Sequence, residues 1–146
     1  MSTENLKFLI TAVLSIHGLG HGGAIGALIW RKFDGTAPVD QSGWLAARSW
    51  LFPSLDASAA MTIAMGFWIV AMIGFIATAL SLWGVLAPGD AWRILAVVSA
   101  VVSSVGIVLF AGTWPAFNTV AAVSVDVAVL VTQLWLRWPE RTVFAP

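Results

Sequence analysis

Four apolar runs, each long enough to cross a bilayer, take up most of this chain. A spanning helix needs about 20 mostly apolar residues. Residues 6–30, 57–86, 92–111 and 118–138 meet that length. Of the 146 residues 60% are hydrophobic and 10% charged, where soluble domains carry roughly 25% charged residues. A chain this short has no interior large enough to hide those side chains, so its solvent must be lipid. In lipid the backbone polar groups are satisfied within the segment, which selects helices. The expectation is an all-α integral membrane four-helix bundle, a single transmembrane domain over residues 1–146 with both termini on the same side.

Helix breakers bound the runs. Arg31, Lys32, Phe33, Asp34 and Gly35 close the first. Pro88 and Gly89 make a turn between the second and third, with Asp90 placed to cap the third. Thr113, Trp114 and Pro115 separate the third from the fourth, and Pro139 stops the fourth because its ring and missing N–H cannot continue a helix. The first run has only Lys7 beside Glu4 before it, its core exceeds a signal-peptide core, and no small-x-small cleavage site follows clearly. A retained span is predicted. The connection from Arg31 to Asp56 is the one long link. Its segment 43–53 is amphipathic, with Trp44, Leu51 and Phe52 suited to the headgroup region and Arg48 to snorkelling. That segment is an interfacial linker or a lid over the bundle mouth. Ser54 and Asp56 suit the start of the second helix, where acids complement the helix dipole.

Charge and residue usage exclude several functions. Seven basic residues balance seven acidic ones, and no basic run exists, so nucleic-acid binding has no electrostatic footprint. The chain has no cysteine, which removes disulfides, thiolate nucleophiles, Cys-ligated zinc and iron–sulfur clusters. Nine tryptophans and no tyrosine are present, and most of the tryptophans fall near run ends, as in an interfacial aromatic belt. Lys7, Arg93, Arg137 and Arg141 belong to the terminal side, against Arg31, Lys32 and Arg48 on the other. Four against three favours termini in the cytoplasm, in a bacterial cytoplasmic membrane.

Polar side chains deep in a span are costly and often mark function. His17 and His21 lie at i and i+4 near the middle of the first run and share a face. Beside them runs a small-residue ridge of Thr11, Ser15, Gly18, Gly22 and Gly26, with two overlapping GxxxG patterns. Such a ridge lets helices approach closely, within the bundle or against a partner. Asp126 lies near the middle of the last run, on a seven-residue stripe with Thr119 and Gln133. An isolated ionised carboxylate there is strongly disfavoured, so it must be protonated, paired or hydrated. The cationic candidates at matching depth are His17 and His21, so the three are expected to converge. Three chemistries stay open: hydrogen bonds that hold the bundle, a metal ion held by His17, His21 and Asp126, or a proton relay. A haem between the two histidines alone is disfavoured, because axial ligands approach from opposite faces of the ring. On the second run Met61, Met65, Met72 and Trp68 form a core stripe. On the third, Ala96, Ser99, Ser103 and Gly106 form a small face, whose serines bond the i−4 carbonyl or a histidine across the interface. No P-loop, Rossmann or GxSxG pattern is present.

His17-Gly18-Leu19-Gly20-His21 and Trp114-Pro115-Ala116-Phe117-Asn118 resemble the HGxxH motif and the turn before the last span of short four-span bacterial membrane proteins of the DoxX-like kind. The resemblance covers most of the chain and implies the four-span fold; the family name implies a link to quinol oxidation. Residues 48–58 depart from the short first loop expected there. Together these features suggest an accessory or assembly subunit in the lipid bilayer, bound to other membrane subunits or to copies of itself, with a buried His/Asp site. The alternatives are a membrane-embedded redox or metal-dependent enzyme using His17, His21 and Asp126, or a small proton-coupled transporter. The absence of an inverted repeat and of mid-span prolines counts against the transporter.

Overall fold

A computed structural model describes residues 2–34, 48–87 and 91–139. The chain is all helical among these residues. Helix α1 spans Thr3–Asp34, α2 Ala57–Leu82, α3 Ala91–Leu109 and α4 Ala116–Leu130, and α4 continues into a π-helical turn over Val131–Trp135. All four helices are long and apolar enough to cross a membrane. They pack as an antiparallel bundle: α1 lies along α2, α2 along α3, and α4 leans mainly on α3. Residues 43–47 of the amphipathic segment and the Pro88-Gly89 turn with Asp90 lie outside the described residues.

Helix ends follow local chemistry. Asp56 is the N-cap of α2, and its side chain accepts from the backbone N–H of Ser58 and Ala59, as a short acid at that position should. The C-terminus of α2 differs from expectation. The apolar run continues to Leu86, yet the helix stops at Leu82. Gly84 turns left-handed at φ +70°, Val85 N–H bonds the Leu80 carbonyl and Gly84 N–H bonds the Ser81 carbonyl. This closing pattern satisfies the last carbonyls and favours glycine, which carries no Cβ penalty there. The last helix begins after Pro115, whose carbonyl accepts from Thr119 N–H.

Two apolar clusters form the interior. One gathers Ala24, Ala60, Ala64, Trp68, Ile107, Phe110, Trp114 and Ala122. The other gathers Leu14, Phe75, Ala79 and Ala100. On α1 the histidines lie between Leu14 and Ala24, and on α3 Ser103 lies between Ala100 and Ile107. The polar residues thus form a layer between two dry ones. Trp30, Trp50, Trp83, Trp135 and Trp138 are exposed near element ends, where an aromatic belt belongs. At one bundle end Lys7 sits over the Trp83 ring, 4.8 Å from its centroid, and Trp83 Nε1 donates to Thr11 Oγ1 at 2.7 Å. Arg93 donates to Gln133 Oε1 at 3.0 Å and to the Pro139 carbonyl. These contacts tie the start of α1 to the end of α2, and the start of α3 to the end of the last span. Both described ends of the chain therefore share one side.

The glycine ridge is used within the chain. A Cβ on Gly18 would lie 3.2 Å from the Met72 carbonyl oxygen and 3.2 Å from Phe75 Cβ, so α1 and α2 meet there backbone to backbone. Gly22 faces the flexible Met72 sulfur at 3.1 Å, whereas Gly26 faces open space. The close seam covers one helical turn rather than the whole ridge.

Candidate functional site

The structure brings His17, His21 and Asp126 together in a fully buried node. Asp126 is 0% exposed and His21 1%, depths at which an unpaired polar group is costly. Each is partnered. His17 Nε2 lies 2.9 Å from Asp126 Oδ1. Ser103 Oγ donates to Asp126 Oδ2 at 2.6 Å, and Ser104 Oγ reaches the same oxygen at 3.3 Å. Ser103 Oγ also lies 3.0 Å from His21 Nε2. A serine hydroxyl has one hydrogen. Since it goes to the carboxylate, His21 donates its Nε2–H to the serine oxygen. An unbroken chain of hydrogen bonds runs from His17 through Asp126 and Ser103 to His21.

Helical spacing positions these groups. The histidines stack one turn apart, ring centroids 5.0 Å apart and planes at 77°. Phe75 of α2 backs both, edge-on to His17 at 4.5 Å and parallel to His21 at 6.2 Å. Trp114, before α4, meets His21 at 5.2 Å. These rings exclude water from one side of the node and fix the imidazole planes. Ser99, one turn before Ser103, takes the ordinary alternative and bonds the Leu95 carbonyl at 2.7 Å.

Some expectations resolve differently. His21 meets the carboxylate through Ser103, not directly. Among the described residues no group of three His, Cys, Asp or Glu side chains is disposed to hold a metal ion. Thr119 bonds the Pro115 carbonyl and Gln133 pairs with Arg93, so of the seven-residue stripe only Asp126 enters the node. Of the small face on α3, Ala96, Ser99, Ser103 and Gly106 are all buried. Trp68 of the methionine stripe is buried, with Met61 and Met65 packed against the same cluster. Phe75 had no distinguishing sequence signal.

A groove opens beside the node, between α1 and α4. One part, about 300 Å³, is lined by His17, Gly20, His21 and Asn118 among others. A second part, about 360 Å³ and almost wholly apolar, runs on toward Leu6 and Trp138. Val13 and Val125 line both parts, so the two adjoin. Comparison with protein-family models, with curated proteins and with solved structures finds no match.

Proposed function

We propose that this chain is a small integral membrane protein that acts as an accessory or assembly subunit, its buried His/Asp node locking the helices in place. One observation carries the reading. Helix α4 supplies the carboxylate, yet only Ala122 and Asp126 of that helix are buried. Its remaining faces, with Phe117, Val120 and Val127 exposed, are an apolar surface offered to whatever lies alongside. The node anchors α4 by hydrogen bonds while leaving that surface for another subunit or a further copy. The proposed setting is a bacterial cytoplasmic membrane with the termini in the cytoplasm. A cysteine placed at Val127, the chain having none of its own, can carry a photo-crosslinker in native membranes. The expected product is one discrete heavier protein adduct. Adducts to lipid alone overturn the reading.

The continuous hydrogen-bonded chain favours a second reading, a proton relay. Protons would pass between His17 and His21 through Asp126 and Ser103, as in a small proton-coupled transporter. Proteoliposomes with an imposed pH gradient test it: Asp126→Asn should abolish a flux that the unaltered chain supports, and no flux in either rejects it.

A further inference from the structure

We propose that the α1–α4 groove binds a single-chain lipid whose head is a hydroxyl group, with that hydroxyl donating to Nδ1 of His21. One buried atom of the node is unmatched. With the Ser103 hydrogen given to Asp126, Nε2 of His21 is the donor in its contact with Ser103, and the ring's other nitrogen, Nδ1, carries the lone pair. That atom is fully buried and without a hydrogen-bond partner among the described residues. Buried polar atoms are nearly always paired, and an exception calls for an explanation. Among the node residues Nδ1 of His21 is the one buried atom left so. It asks for a donor, which selects a hydroxyl head over an ether, a ketone or an ionised carboxylate.

The surroundings say what carries that hydroxyl. His21 lines the groove, with Asn118 near the same end. Asn118 is exposed, and its carboxamide can hydrogen-bond the hydroxyl oxygen. From Val125 the groove continues along α4 to Gln133, eight residues on, or about 12 Å of helix rise. That half is apolar and flanked by Leu6 and Trp138 at its far end. It fits one hydrocarbon chain entering sideways from the bilayer. The site does not depend on a partner subunit: Phe117 is among its lining residues, while Val120 and Val127 lie outside it.

Gly20 supplies a clean test. It lines the groove, and a Cβ there meets nothing within 4 Å. Gly20→Leu therefore has room for its Cβ, adds bulk to the groove wall and favours the helix. Purified protein in nanodiscs is exposed to a diazirine-bearing hexadecanol and the labelled peptides are mapped. Labelling should fall on the segments around Val13 and Val125, and excess unlabelled hexadecanol should suppress it. Gly20→Leu should reduce labelling about tenfold with an unchanged melting temperature, and His21→Phe about tenfold, the scale of one lost hydrogen bond. A polyisoprenoid alcohol as competitor distinguishes an isoprenoid source from a fatty one. Hexadecane competing as well as hexadecanol, or palmitate at pH 9 competing as well, overturns the proposal. So does full labelling of Gly20→Leu.

Discussion

At the scale of single residues the node is a matter of counting hydrogens. Asp126 Oδ2 accepts a short bond from Ser103 and a long one from Ser104. Ser103→Ala removes the bridge, strands the His21 Nε2–H and leaves Asp126 Oδ2 with only the long Ser104 contact. Leaving buried polar atoms unsatisfied costs about 1–3 kcal/mol each. Ser104→Ala removes only the weaker contact. Thermal unfolding in detergent should therefore show Ser103→Ala well below the unaltered chain and Ser104→Ala close to it; equal losses would refute this ranking. Asp126→Asn keeps the shape but places an amide N–H₂ where a carboxylate oxygen accepts. If the carboxylate is ionised, the melting temperature drops; an unchanged value assigns Asp126 as a neutral acid. The two histidines and the aspartate were legible in the sequence, because spacing gives the shared face and run length gives the depth. Ser103 was not separable from Ser99. Both sit on one small face, and every helical serine has an i−4 carbonyl within reach. Only the position of α1 and α4 around α3 decides which hydroxyl turns outward from its own helix.

At the scale of helices, run length located all four spans but misplaced their ends. Hydropathy does not register backbone conformation, so Val85 and Leu86 extended the second run past a glycine that had already ended the helix. Gly84 at φ +70° should resist replacement: Gly84→Ala is expected to cost about 1 kcal/mol through strain at positive φ. The ridge on α1 shows the same limit. Sequence lines up Gly18, Gly22 and Gly26 equally, while the crossing with α2 uses them unequally. Gly18→Leu should force the backbones apart and lower the yield of monodisperse protein in size-exclusion chromatography. Gly26→Leu, with open space beside it, should leave the profile unchanged. Equal tolerance at both positions would mean that α1 and α2 do not meet at Gly18.

At the scale of the whole molecule, the paired contacts at one bundle end settle which segments lie together, and charge is expected to set which way they face. Lys7 stacks on Trp83 and Arg93 is held by Gln133 and Pro139, so these cations are fixed on the side of the described termini. Arg48 lies at the opposite end, on the segment whose Trp50 Nε1 donates to the Val108 carbonyl at 2.5 Å near the end of α3. Cations next to spans tend to remain in the cytoplasm. By sequence position four of the seven basic residues are expected on the terminal side, a margin of one charge, so reversing that margin should matter. Single cysteines at Ser2 and at Ser54, both exposed, should react with a membrane-impermeant maleimide from opposite faces of intact cells, Ser54 from outside and Ser2 only after lysis. Labelling of both from outside breaks the four-span topology. Replacing Lys7 by Gln in the Ser54 reporter removes one terminal charge and evens the count. The expected result is a mixed population in which part of the Ser54 signal becomes inaccessible from outside. If the signal stays fully external, orientation is set by something other than this charge difference.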